Sequence, residues 1–477
     1  MSTQITVIGA GPGGYVAAIR AAQLGAHVTL IEEDKVGGTC LNWGCIPSKI
    51  MKTAAETLEK CRQLQELGGT GTEAPRPHMK RLMARKEKVI RDQANGILRL
   101  LKANSIRCLN GQARVQGPHR ASVRLSNGDT RDVTWDRLIL ATGSRPREIP
   151  SAPFDGERII SSNEALSLDA VPESMIIVGG GVIGCEFAFI YDALGSRITV
   201  VEALSRPLPV PSVDGDCSKT LLREMKKRRI TFMTNRTVQA VEIGADGCRV
   251  SIGPASLTGS LKEKESAPMW LDAEKVLISV GRTPNTEGIG LEELGVKLDS
   301  GGWIMVNDHM ETSIPGVFAI GDVLGPSRAM LAHVASKEGH IAAENALGGN
   351  GKMDYRAVPS VVFTMPEVAG VGLTEAQAAE AGYQVQSHSV LFRNIGKSQV
   401  LGELGGHAKI IWDRGSCKIL GVHMIGPHVT ELIAEGTLAV TQGCSVKELA
   451  DTLHAHPTLS EIMAEVSFKA LGRSLHG

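Results

Sequence analysis

Residues 4–14 read QITVIGAGPGG, and residues 175–184 read MIIVGGGVIG. Each is a short apolar run ending in a glycine-rich turn, with glycines at 9, 11 and 14 in one and at 179, 181 and 184 in the other. A helical pattern follows, to about Leu24 and to about Leu194. A second apolar run then closes on an acid, HVTLIE at Glu32 and RITVVE at Glu202, so every landmark recurs 170 residues later. The first glycine permits the strand-to-helix turn, the second lets backbone approach a pyrophosphate, and the third packs helix on strand. The helix N-terminus adds free N–H groups and a positive dipole end. Each acid lies 18 residues beyond its last glycine, where it can accept from a ribose hydroxyl. One such pattern is weak; two with matching strands, helices and acids predict two dinucleotide-binding folds in tandem. The Glu202 carboxylate would repel a 2′-phosphate, which favours NAD, while Arg206 is near enough in sequence to keep the phosphorylated form open.

Further strands extend the pattern outward. Residues 137–141 end in Thr142-Gly143-Ser144-Arg145-Pro146, and 275–280 end in Gly281-Arg282-Thr283-Pro284. Residues 317–320 lead into Gly321-Asp322 and are expected to return to the first sheet. Residues 53–101, rich in Lys, Arg, Glu and Leu, are predicted to be mostly helical. Beyond about 350 no glycine fingerprint recurs. Strands at 408–412 and 419–424 mix with helices at 429–441 and 446–453, as in a separate α+β domain. The expected fold class is therefore α/β, two tandem Rossmann-like domains followed by a C-terminal α+β domain. The expected boundaries are 1–149 and 150–275 for the two dinucleotide-binding domains, 276–348 for a central domain that returns to the first sheet, and 349–477 for the α+β domain.

Composition narrows the function classes. Lys+Arg and Asp+Glu are both 51, without the basic excess of a nucleic-acid binder. The 54 glycines are about 11% of the chain against a usual 7% or so, as expected where backbone meets ligands closely. The longest apolar stretch, 176–190, holds three consecutive glycines and Glu186 and is too short to span a bilayer. The N-terminus MSTQITVIGA shows no signal-peptide pattern, and nine scattered cysteines do not form a secreted disulfide framework. The expectation is a cytoplasmic protein with no membrane or nucleic-acid partner and no metal.

Between Glu32 and the first long helix the chain reads GGTCLNWGCIPSK, with four residues between Cys40 and Cys45. Residues five apart do not share a helix face, so bridging them needs a distorted turn, which Gly44 and the Gly37-Gly38 pair permit. Spacing alone leaves two readings, a thiol relay beside a bound redox ring or two packed cysteines. Near the C-terminus, HAHPTLSE offers two more. Thr458–Glu461 has the spacing of a capping box, with Pro457 helping to start the helix. Alternatively Glu461 folds back on His456 and makes it a base for thiol chemistry. His454, His333, His423 and His428 have no partner at fixed spacing and read as structural.

Together, GGTCLNWGCIPSK, the two fingerprints, TSIPGVFAIGD and HAHPTLSE resemble the dihydrolipoamide dehydrogenase family, within the class I FAD-dependent pyridine nucleotide–disulfide oxidoreductases. The resemblance runs almost the whole length. It implies that the first fold holds FAD through Gly9, Gly11, Pro12, Gly13, Gly14, Glu32, Glu33, Gly38, Thr39, Lys49, Ala113, Thr142, Gly143, Ser144, Asp322, Met330, Leu331, Ala332 and His333. The second would hold NAD through Gly179, Gly181, Val182, Ile183, Gly184, Glu186, Glu202, Val238 and Gly281, with Lys49 and Glu186 as the family's ion pair beside the flavin. It implies a redox-active Cys40–Cys45 disulfide and a homodimer in which His456 and Glu461 act at the other subunit's site. The implied reaction is NAD-dependent oxidation of dihydrolipoamide. The implied partner is a lipoylated acyltransferase of a 2-oxoacid dehydrogenase complex or a glycine-cleavage carrier protein, with no lipoyl domain expected in this chain. The rivals are an NAD(P)H-dependent reductase of a glutathione-like disulfide or of mercuric ion, and a non-enzymatic flavin-binding scaffold. Three places depart from the common pattern: Trp43 between the cysteines, Ile50-Met51-Lys52 after the motif, and Asn163-Glu164 after Ser161-Ser162.

Overall fold

The first fingerprint strand, Gln4–Ile8, is central to a seven-stranded sheet. In the computed structural model, which describes residues 2–62, 64, 68–70, 75–255 and 268–476, its parallel neighbours are His27–Glu32 and Arg137–Leu140. Val317–Ala319 pairs in parallel with Arg137–Leu140, so the late strand does return to the first sheet. On the other side Arg107–Val115 pairs with His27–Glu32 and continues into an antiparallel ribbon. The second fingerprint strand, Ser174–Val178, is likewise central, between Arg197–Val201 and Lys275–Ile278 in a five-stranded parallel sheet. From Ile5 and from Ser174 onward both central strands are buried on both faces, as parallel strands covered by helices must be.

The C-terminal sheet is antiparallel, in the order Ser360–Val362, Glu367–Gly372, Ile419–Gly426, His407–Asp413 and Val385–Leu391. Its buried Val390, Ile410, Val422 and Met424 pack with Ile433, Ile462 and Val466 from two helices. Each such side chain contributes about 1.5–3 kcal/mol when removed from water.

The chain divides into two units. One comprises Met1–Met51, Lys80–Arg147 and Gly281–Asp354; the other comprises Lys52–Met79, Glu148–Val280 and Tyr355–Gly477. The stretch expected to be mostly helical at 53–101 is two helices, Cys45–Arg62 and Met79–Ala103. Residues 75–78 between them are irregular, as Pro75 and Pro77 would dictate, and positions 63, 65–67 and 71–74 lie outside the described residues.

Candidate active site

The two nucleotide folds repeat in atomic detail. The Gly9 and Gly179 N–H groups donate to the carbonyls of Ile31 and Val201, each at 2.8 Å. A Cβ on Gly14 would fall 1.9 Å from the Gly9 carbonyl oxygen, and one on Gly184 the same distance from that of Gly179. No side chain fits at either place. A Cβ on Gly11 would meet only the Gly38 Cα at 4.0 Å, and one on Gly181 nothing within 4 Å, so the middle glycines face open space. Glu32 accepts from the N–H groups of Ala10 (2.6 Å) and Asp34 (2.9 Å). Glu202 accepts from those of Gly180 and Leu204. Each acid thus closes over its own glycine turn and, with about four lone-pair positions, retains room for ribose hydroxyls. Burial pushes the Glu32 carboxyl up, against the pull of its backbone donors.

In the first unit, residues 142–146 are braced from the far end of the sequence. Arg282 donates to the Ser144 hydroxyl and carbonyl, both at 2.6 Å, and the Ser144 hydroxyl donates to Asp322 at 2.9 Å. Arg282 also faces Cys45, whose anion it favours. Sequence reasoning did not assign it a role, although it stands in the Gly-Arg-Thr-Pro strand end. The Thr142 hydroxyl is buried without a hydrogen-bond partner, and Gly143 fronts open space. The helix Ala332–Ala346, whose start carries the assigned residues 330–333, crosses the first fingerprint helix so closely that a Cβ on Gly339 would lie 2.6 Å from the Gly13 carbonyl oxygen. Ala113 is buried in its strand. An orphaned hydroxyl beside an open glycine cradle suits a bound dinucleotide. In the second unit the Val238 side chain is in the core, so only its backbone can meet a nucleotide. Glu186 is buried and accepts from the Phe363 N–H at 3.0 Å.

The cysteines occupy two successive helices. Gly38–Trp43 carries Cys40, Gly44 breaks the path with φ −148° and ψ −108°, and Cys45 begins the 18-residue helix Cys45–Arg62. Gly37, at φ +96°, turns the chain into the first of these, where a Cβ would strike Leu41 at 2.4 Å. The hydrogen bond between Cys40 and Cys45 holds the Cys40 thiol well above the ordinary thiol range, and burial adds to it. Cys45 is exposed and begins its helix, where the positive end of the dipole favours an anion. Lys49, one turn further on, donates to the Ser48 hydroxyl.

In the second unit His456 Nδ1 lies 2.8 Å from Glu461 Oε1, and Glu461 Oε2 accepts from the Thr458 N–H at 2.9 Å. Burial pushes Glu461 up, but the hydrogen bonds from His456 and Thr458 outweigh it and leave the carboxyl below its ordinary value. The reciprocal capping box is not formed. The helix starts at Glu461, and the Thr458 hydroxyl donates to the Ala455 carbonyl instead. Among the described residues no cluster of His, Cys, Asp or Glu could hold a metal ion.

Residues 3–339 match the pyridine nucleotide-disulphide oxidoreductase family, and residues 358–467 match its dimerisation domain. The chain belongs to this family. It is 42% identical to dihydrolipoyl dehydrogenase of Thermus scotoductus over 99% of its length and 98% of that protein's. It is 40% identical to that of Bacillus subtilis over 99% and 98%. A crystal structure of LpdA from Mycobacterium tuberculosis superposes with a TM-score of 0.89 at 29% identity, covering 98% of this chain and 99% of the other. As a flavoprotein disulfide oxidoreductase it uses FAD and NAD.

The departures from the common pattern have local explanations. The Trp43 indole N–H donates to Asp34 at 3.3 Å, and the Lys35 ammonium sits 4.5 Å from its ring centroid. Lys52 is buried against Glu367 (2.5 Å) and Glu56 (2.8 Å), and the other Glu367 oxygen accepts from the N–H and hydroxyl of Thr430. Glu164 completes a capping box with Ser161 at the start of the helix Ser162–Ala165. Arg206 is committed to Ser218 (2.5 Å) and to the carbonyls of Val213 and Val210. His454, read from the sequence as structural and without a partner at fixed spacing, meets a carboxylate from elsewhere in the chain: Glu435, 19 positions back on the helix Val429–Gln442, at 2.8 Å.

Proposed function

We propose that the chain oxidises dihydrolipoamide to lipoamide with NAD, and that Cys40, Cys45, His456 and Glu461 carry the thiol chemistry. The observation behind this reading is the hydrogen-bonded cysteine pair straddling a helix break beside the first glycine turn. FAD would be held by the first glycine turn, Glu32, Thr142–Ser144 and Asp322, and NAD by the second turn and Glu202. When bound, they supply a two-electron acceptor and a final hydride acceptor.

His456, oriented by Glu461, removes a proton from one substrate thiol. The thiolate attacks Cys40 Sγ; an S–S bond to substrate forms, the Cys40–Cys45 bond breaks, and Cys45 leaves as thiolate. The second substrate sulfur then attacks the first, closing the lipoamide ring and releasing Cys40, whose high-lying thiol keeps the second proton. Two electrons have then passed from dithiol to cysteine pair. The helix N-terminus and Arg282 favour the Cys45 anion, the form that gives them up.

The dimerisation domain supports a homodimer in which the base of one protomer serves the redox pair of the other. A dithiol on a swinging carrier suits this chemistry, which makes a lipoylated acyltransferase or glycine-cleavage carrier protein the partner, met in the cytoplasm. Among the described residues no helix is long and apolar enough to cross a membrane. The commitment of Arg206 within its own loop supports NAD over the phosphorylated form.

His456→Ala tests the assignment. Turnover with dihydrolipoamide should fall about 10²–10⁴-fold while FAD content is unchanged. Near-full turnover would overturn it.

A further inference from the structure

Between the helices Val446–Asp451 and Glu461–Ala470 the chain has no regular structure, and His456 projects from this loop with its side chain 76% exposed. Leu453 is 98% exposed. His454, between them, is the opposite case, with its side chain only 6% exposed. Its Nδ1 lies 2.9 Å from the Thr452 carbonyl and its Nε2 lies 2.8 Å from Glu435 Oε1 on the helix Val429–Gln442. Neither an amide carbonyl nor an ionised carboxylate can donate. Both contacts are therefore hydrogen bonds only when both ring nitrogens carry protons.

We propose that His454 is a positioning residue for the thiol reaction: as an imidazolium clamped between Thr452 and Glu435, it fixes the loop and so the direction in which His456 is offered to substrate. The inference rests on the reading of His456 as the base. The two histidines divide the work. His456 engages its Nδ1 with Glu461 and presents the rest of its ring to solvent, whereas His454 spends both nitrogens on the protein. The carboxylates facing His454 are Glu435 on the helix Val429–Gln442 and Glu461 at the start of the helix Glu461–Ala470. The hydrogen bond to Glu435 holds the His454 ring above its ordinary pKa despite burial. The clamp is thus complete below the raised value and loses one of its two hydrogen bonds as pH rises through it.

The test uses the full-length, FAD-loaded protein and compares His454→Gln, Glu435→Gln and His456→Gln. Two rates are read across pH: kcat/KM for dihydrolipoamide, and flavin reduction by NADH, which requires no thiol base. His454→Gln should lower the first about tenfold or more, since small misplacements of a catalytic group are costly, and leave the second within twofold. Glu435→Gln keeps the side chain's shape but removes its charge. It should move the alkaline limb of the dihydrolipoamide profile to lower pH, with His454 seen by NMR to titrate lower as well. An unmoved alkaline limb in Glu435→Gln, or an unchanged kcat/KM in a folded His454→Gln, overturns the clamp. If His454→Gln does not fold, Glu435→Gln decides alone. Full activity in His456→Gln instead overturns the assignment of the base.

Discussion

The two nucleotide folds share one backbone design, and they differ in what occupies the slot beside the glycine turn. In the first, the Ala10 carbonyl accepts from the Gly37 N–H at 2.8 Å, and the chain runs straight into the Cys40–Cys45 segment. In the second, the Gly180 carbonyl accepts from the Leu208 N–H at the same distance, and the chain runs into a loop tied down by Arg206. One slot is used for redox chemistry, the other for bracing. A duplicated binding unit has thus become asymmetric by changing the segment after the second strand while leaving the cradle intact.

The largest expected effect comes from breaking each cradle in turn. Gly14→Val places side-chain atoms on the Gly9 carbonyl and should yield protein without FAD, read from its flavin absorbance. Gly184→Val makes the same collision in the second fold and should retain FAD while losing NAD-dependent turnover. Loss of FAD from Gly184→Val would refute the division of labour between the folds.

Glu202→Ala should have a smaller effect. Loss of a hydrogen bond to a charged group, about 1.5–3 kcal/mol, corresponds to roughly a 10–100-fold fall in the preference for NAD over its phosphorylated form. Arg206→Ala, measured in the same assay, should change that preference less than about twofold, because its guanidinium is engaged by the Val213 carbonyl of its own loop and by Ser218 on the helix that follows. A collapse of the residual reaction with the phosphorylated form in Arg206→Ala would show that the arginine reaches the nucleotide.

The smallest effect concerns stability. The helix Gly215–Lys227 of the second fold begins at Asp214 and Asp216, which the buried Lys409 contacts at 3.3 and 2.9 Å. The Lys409 hydrogen bond leads in pulling Asp216 down to about 2. A depressed carboxyl stabilises the fold above its unfolded pKa, near 3.8, and that contribution disappears as pH falls toward 2. Asp216→Asn should therefore cost about 1 kcal/mol or less at pH 7, since the carboxyl is half exposed, and nothing near pH 2. Urea titrations at several pH values check this; a penalty that grows as pH falls would contradict it.

Local patterns made much of the fold legible. Alternation of apolar runs with glycine turns marks parallel strands, and the shared spacing of Gly9 to Glu32 and Gly179 to Glu202 already encodes the closure of acid over turn seen in both folds. The same holds for the two strands and two helices expected between 408 and 453, whose ends fall within a few residues of expectation, whereas Ser360–Val362, Glu367–Gly372 and Val385–Leu391 of the same sheet had no expected counterpart. The C-terminal histidine was legible only as a choice, since Thr458–Glu461 spells a capping box as well as a histidine partner. A local pattern cannot rank two local hydrogen bonds, and here the loop decided, with Thr458 turning to Ala455 and Glu461 to His456.

What the sequence determined by itself was the repeated cradle, the two acids and the presence of a thiol pair, because these rest on spacing within one strand–turn–helix unit. Only the tertiary structure decided that Arg282 holds Ser144, that Lys52 meets Glu367 315 positions away, and that His454 meets Glu435. Such contacts join residues on different elements. Their partners are set by how sheets and helices pack, and no periodicity along the chain records them.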